Sequence, residues 1–547
     1  MKSLTRRRGA GLAAAVALAI GGMVAAPIAT AVPAPAIFAA EPATDLNTAL
    51  IDANERATLR IYKLAQTEDN GTDPGNGLVD DNATGAPVPG VEFTITKLDF
   101  DLTTQAGWQD LAALNGSAAA AANHKTNTVY TQTTDENGLA DFSGLQVGAY
   151  LVSETKAPQN VTTAEDFVVT LPMTDPESGS VWNYNVHVYP KNSVVDSTKE
   201  VSDTGSPTIG DTITYTIKAD IPKIDVAGGA TIKNYQIVDP LDPRLEYQDI
   251  AVTMLGTGAV ALSENTDFEV VTATGSDSKT YVTVTFTEAG RAKIAAARAT
   301  GDTSTQVQVV IDSTIKAIGN GNGSISNTSF LIPNDSQTNW DPNNPNPNDV
   351  PGEPSDEVKS YYGKVTITKT GTDGKPAATY AGAEFQVYQC NPNGASQGAT
   401  IDRDAANITG AALTANQVTA AGTTENTAKF TTGSDGTVTI DALRTNDFVN
   451  NAEVAVGERG WYCLVETKAP EGYEIQSDPI AFQVLKTNVE ASPFSIGFTV
   501  IDVPSNAGFR LPLTGANGII FLTVAGILLV AGAALLAVHN KRRSVED

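Results

Sequence analysis

Histidine is nearly absent from these 547 residues; three occur, at His124, His187 and His539. So thin a supply leaves a histidine-based metal centre or nucleophile almost without raw material. Cysteine is scarcer still, with Cys390 and Cys463 the full complement. Cationic residues are also short, 35 Lys and Arg against 62 Asp and Glu, for a formal charge of −27. That charge is spread along the chain rather than gathered in a tail. It argues against nucleic acid or anionic lipid as partners and for a soluble, exported surface. No metal-ligand spacing, Ser/His/Asp set or reactive cysteine can be found, and nothing in the sequence pairs two carboxylates. No cofactor, metal or turnover enzyme is therefore expected.

The two long apolar runs lie at the ends. Lys2, Arg6, Arg7 and Arg8 precede the first, and Ala29-Thr30-Ala31 supplies an A-x-A cleavage signal, so 1–31 reads as a secretory signal with the cut as late as residue 40. The second, Ile519–Val538, is long enough for the roughly 20 residues that span a bilayer, and His539-Asn540-Lys541-Arg542-Arg543 follows it as a basic stop. In an exported chain Cys390 and Cys463 read as one disulfide.

Roughly 480 residues separate the ends, too many for one core and suited to three or four domains. Two segments repeat one pattern. ATLRIYKLAQ, GVEFTITKL, YLVSETKAP and WNYNVHVYPKN are answered by GKVTITKTG, GAEFQVYQC, YCLVETKAPEGY and FTVIDVP. Short alternating strands separated by Asp-Gly, Asn-Gly and Pro-rich turns predict small β-sandwiches. Residues 193 to about 357 are also strand-rich but differ in detail. WDPNNPNPNDVPGEPSDE (340–357) reads as a linker or long exposed loop, and WQDLAALNGSAAAAANHKTN as a short helical insert.

LPLTG (511–515), the apolar span and the basic tail together resemble the cell-wall sorting signal of Gram-positive surface proteins. YLVSETKAP and YCLVETKAPEGY resemble the E-box of sortase-assembled pilins, and WNYNVHVYPKN resembles their pilin motif. The likeness covers essentially the whole chain and is nearest to the shaft pilins of Actinomyces fimbriae and of corynebacterial pili. It implies an all-β chain of three tandem Ig-like sandwiches: a CnaB-like domain over 41–192, a CnaA-like domain with linker over 193–357, and a CnaB-like domain over 358–505. The sorting signal occupies 511–547.

Strand parity separates the lysines. Lys369 shares a face with Val365 and Ile367, Lys199 with Val195 and Val201, and Lys63 with Leu59 and Ile61. An unpaired lysine in a core is expensive. The resemblance offers an escape, an amide bond from lysine to an Asn or Asp side chain promoted by a buried acid. Carried over by position, it pairs Lys369 with Asp502 (Asn506 the alternative) under Glu466, Lys199 with Asn327 under Asp239, and Lys63 with Asn192 under Glu154. The family usually has Asn where FTVIDVP offers Asp502. Both cysteines alternate away from the core faces, so the disulfide is expected to staple strands from outside.

Lys191 falls on the more polar face of its strand, with His187 and Tyr189. The resemblance makes it the acceptor when a sortase cuts between Thr514 and Gly515, joining subunits head to tail. The expected function is the major subunit of a covalent surface fimbria anchored to the cell wall, supporting adhesion and biofilm. Expected partners are a pilus-specific class C sortase, a housekeeping sortase with peptidoglycan, other copies of the chain, a tip adhesin, and host or bacterial receptors. A wall-anchored adhesin with its own receptor is the alternative.

Overall fold

The computed structural model describes residues 51–505, apart from 68–74, 178, 180, 317, 319–321, 334–339, 419–423 and 492–494, together with 527–536. The signal segment, Asn506, Thr514 and Gly515 lie outside the described residues. So does half of the apolar run 519–538, of which the helix 527–536 is described. Among the described residues no helix is long and apolar enough to cross a membrane.

The first sandwich is built from alternation. In Ala57–Tyr62 every second residue is buried, and the strand lies between Asn185–Val188 (parallel) and Leu139–Leu145 (antiparallel). Facing it is a four-stranded sheet in the order Lys125–Thr133, Glu92–Leu98, Gly148–Lys156, Phe167–Leu171. Leu59, Ile61, Phe93, Tyr150 and Val188 fill the space between, each large apolar side chain contributing about 1.5–3 kcal/mol by leaving water. The expected insert forms two short helices, Gln105–Ala112 and Ala118–Ala121, capped by the hydroxyls of Thr104 and Ser117. They cover the outer face of the four-stranded sheet through Leu111, Ala121, Leu151 and Val168.

The middle sandwich packs a four-stranded sheet against a five-stranded one. It also carries a helix, Glu288–Thr300, that the strand-rich reading of this region does not anticipate. Its buried residues are Gly290, Ile294, Ala295, Ala297 and Arg298, with Ile294 the one large apolar side chain, too few to write a strong apolar stripe. The expected linker is another correction. Trp340 is buried against Tyr281 and Ile332 and donates its indole N–H to Thr283 Oγ1 at 3.2 Å. Glu353–Pro354 then adds an edge strand beside Phe330 and Leu331. One tryptophan and a two-residue strand thus pin a run whose composition is otherwise that of a free loop.

The third sandwich opens with a 14-residue strand, Val358–Gly371. Its start pairs with Ser324–Asn327 of the middle region. Its remainder lies between Thr437–Arg444 and, in parallel, Ser495–Asp502. Val358 and Tyr362 belong to the middle core, while Val365 and Ile367 belong to the next. Buried Asp203 reinforces this junction. It accepts from Ser360 Oγ at 2.6 Å and from the Asn450 N–H at 2.8 Å, and it lies 3.4 Å from Arg444 Nη1.

Candidate functional site

All three parity-selected lysines are buried. Lys63 follows its strand directly, and the parallel pairing of Leu64 with Lys191 and of Ala65 with Asn192 brings the Asn192 side chain two residues beyond it. Glu154, on the opposite sheet, closes the set. One carboxylate oxygen contacts Lys63 Nζ, and the other accepts from Asn192 Nδ2 at 2.7 Å and from the Ala164 N–H at 3.0 Å. Asn192 Oδ1 is buried with no hydrogen-bond partner. Burial pushes the Lys63 ammonium below its ordinary pKa, with Glu154 opposing in part.

The third sandwich repeats the design. Lys369 pairs with Val500, so Asp502 again stands two residues along the parallel neighbour. Lys369 Nζ contacts Asp502 Oδ1 and lies 3.0 Å from Glu466 Oε1. Glu466 Oε2 accepts from the Gln476 N–H at 2.7 Å, the same ten-residue step that separates Glu154 from Ala164. Desolvation raises the Glu466 carboxyl to about 7, against the opposing pull of the Gln476 N–H and of Lys369. Each lysine also sits 5.8 Å from a phenylalanine ring centre, Phe93 or Phe385. Those rings were missed as site residues, although the repeated GVEFTI and GAEFQV hold them at matching positions.

The middle site is assembled differently. Lys199 Nζ donates to Asp239 Oδ2 at 2.5 Å across the two sheets, and lies 5.1 Å from the Tyr215 ring centre. Full burial lowers the lysine pKa, with Asp239 opposing. Asn327 is 2% exposed, and neither its Oδ1 nor its Nδ2 has a hydrogen-bond partner. The structure therefore joins Lys199 to Asp239 but makes no hydrogen bond from either to Asn327.

A neutral amine beside a polarised carboxamide or carboxylic acid is the arrangement for amide formation. The amine attacks the side-chain carbonyl carbon, the buried acid relays protons, and ammonia leaves from Asn or water from Asp. Full burial and the missing partners at Asn192 Oδ1 and Asn327 are costly for an ordinary ion pair and suit this chemistry.

Cys390 and Cys463 form the disulfide, with Cα atoms 5.9 Å apart. It is not outside, as expected, but buried with Ala406 and Ala481. Parity does place it on the outer face of its sheet; the excursion between Asn391 and Asn407 then covers it. Lys191 is half-buried in the two-residue strand Lys191–Asn192. His187, expected on the polar face, is 8% exposed and stacks on Tyr62 at 5.8 Å. Among the described residues no group of three or more His, Cys, Asp and Glu has the arrangement to hold a metal ion.

Comparison with known proteins places these features in context. Family models match for the Gram-positive pilin subunit D1 N-terminal domain over residues 54–193, for a prealbumin-like fold domain over 363–493, and for the LPXTG cell wall anchor motif over 503–545. The chain is 49% identical to fimbrial subunit type 1 of Actinomyces viscosus, covering 100% of this chain and 99% of that one. Among solved structures, the fimbrial protein FimP of Actinomyces oris is 45% identical with a TM-score of 0.54, over 84% of this chain and 100% of that one. The full-length major pilin SpaD of Corynebacterium diphtheriae is 29% identical with a TM-score of 0.62, over 83% and 98%.

Proposed function

The chain belongs to the fimbrial subunits of Gram-positive bacteria, and from that premise we propose how it is joined and locked. It is a structural shaft subunit of a cell-wall-anchored surface fimbria and a sortase substrate. In our reading the sortase holds Thr514 as a thioester after cutting before Gly515. The Lys191 amine of the next copy attacks that carbonyl carbon, releasing the enzyme thiol and forming one amide per subunit. A head-to-tail contact of this kind does not close, so it yields a filament. The apolar run 519–538 serves as the membrane stop before that cut. A class C sortase makes the joints, a housekeeping sortase attaches the base to peptidoglycan, and a tip adhesin completes the fimbria.

Within each subunit, Lys63–Asn192, Lys199–Asn327 and Lys369–Asp502 become amide bonds promoted by Glu154, Asp239 and Glu466. The observation that carries this reading is the repeated geometry of the first and third sites, down to the acid's ten-residue N–H partner. The matched segments support dividing the chain near residues 193 and 358. The test is the intact mass of the ectodomain 41–510, with and without reductant. Each Lys–Asn bond removes about 17 Da and the Lys–Asp bond about 18 Da, from the ammonia or water expelled. Three bonds give a deficit of roughly 52 Da; no deficit defeats the reading.

A further inference from the structure

Lys191 ends a face whose make-up neither the internal sites nor the acceptor role explains. Going back along the chain, Tyr189 and then His187 point the same way, since Val186, Val188 and Asn192 between them are buried on the other side. Tyr62 of the neighbouring parallel strand stacks on both, 5.0 Å from Tyr189 and 5.8 Å from His187. Both tyrosines are half-buried. His187 is more than nine-tenths buried, yet its Nδ1 has no hydrogen-bond partner. Beside the aromatic row runs a loop carrying Val79, 60% exposed, with Asp80 and Asp81. The Asp80 N–H donates to the Tyr189 hydroxyl at 3.0 Å, which fixes the loop against the row. The result is an apolar strip with an acidic rim, leading to one lysine.

The segment before the sortase site has the complementary pattern. Residues 509–514 read Phe-Arg-Leu-Pro-Leu-Thr. When extended, Phe509, Leu511 and Leu513 line one side and Arg510 is the lone cation. Alternate residues of an extended chain are about 6.6–6.8 Å apart, so the apolar side has the same period as Lys191, Tyr189 and His187. With Thr514 bonded to Lys191, the preceding residues of that copy are tethered at high effective concentration beside this strip.

We propose that the aromatic row Tyr189–His187–Tyr62 seats residues 509–513 of an adjacent copy. Leu511 lies over Tyr189, Phe509 lies near His187 and Tyr62, and Arg510 reaches Asp80 and Asp81. The seat orients each joint so that the link between subunits is more than a swivel through one lysine side chain. This rests on the reading that Lys191 accepts Thr514.

Hydroxyl-radical footprinting of the chain from residue 41 through the LPLTG motif, as monomer and as sortase-joined dimer, tests it. Tyr62 and Tyr189 reactivity should fall roughly threefold or more on joining, as for side chains entering an interface core. Tyr388 of the third sandwich serves as the reference. An F509A/R510E form of the chain from residue 41 through LPLTG should join yet lose protection at Tyr62, while Leu511 still covers Tyr189 in part. Joining of Lys191 to a short LPLTG peptide, which keeps Leu511 but lacks Phe509 and Arg510, should protect Tyr189 in part and leave Tyr62 reactive. A joined dimer with unprotected tyrosines overturns the seat while leaving the joint standing. A dimer linked through another lysine overturns the underlying reading itself.

Discussion

The first and third sandwiches are the same machine with two parts exchanged. In both, a lysine from the opening strand faces an acceptor two residues along a parallel final strand, and a glutamate from the opposite sheet closes the set. The acceptor is Asn192 in one and Asp502 in the other. The outer face of the second sheet also differs. The first sandwich covers it with helices packed on Leu151 and Val168, the third with a disulfide under a loop. The inner face tolerates only chemically equivalent exchange, because a buried lysine must be neutralised or bonded. The outer face accepts any cover that excludes water.

The sharpest way to break the equivalence is to remove each acid. E154A and E466A should each abolish the mass deficit of their own sandwich only. Loss of a positioned acid slows such transfers about 10²–10⁴-fold, and the orphaned lysine costs about 3–5 kcal/mol besides. Peptide mapping and denaturant melts would read both effects. If E154A leaves the first bond intact, the two sites are not alike.

Removing the disulfide should separate the outer faces. C390S/C463S is expected to cost the third sandwich about 2–4 kcal/mol and the first nothing, measurable by local hydrogen exchange.

A smaller effect is expected from pH. Glu466 must be protonated to relay, and its carboxyl is held near 7. Lys369–Asp502 bond formation in newly folded protein should therefore be level below pH 7 and slow about tenfold per unit above it. The sign follows from burial: a raised carboxyl pKa means the folded site favours the proton, and that preference is lost as pH rises through the folded value. A rate that does not fall above pH 8 would show that protonated Glu466 does not limit the step.

Least disruptive should be the exchange D502N. The bond should still form, with ammonia replacing water, so the deficit changes by about 1 Da and the melting temperature hardly moves. A failure to form would show that the third site is tuned to an acid rather than indifferent to the leaving group.

Much of this was legible in the chain. Parity alone put Lys63, Lys199 and Lys369 inside, because period-two alternation is a local property that folding preserves. The disulfide followed from two cysteines in an exported sequence. What escaped was whatever depends on a distant cover. His187 and the disulfide sit on outward faces, as parity says, but are buried by segments remote in sequence. The helix Glu288–Thr300 hid because Ile294 is the one large apolar side chain on its contact face. Trp340 hid inside a polar, proline-rich run. Asp203 and Arg444 gave no warning of each other across more than two hundred residues.

The strand Val358–Gly371 has a mechanical consequence. With the proposed joint in place, a filament gripped at Lys191 and Thr514 is pulled through what lies between them, and this strand is the member common to the middle and third sandwiches. Its first residue pairs with Asn327 and its twelfth is Lys369. Because the two strands run antiparallel, pulling Asn327 one way and Lys369 the other shears four rungs at once rather than opening them singly. Everything before Lys191 hangs beside the line of force. Apart from the face beside Lys191, the first sandwich would thus hang alongside a taut cable rather than lie in it.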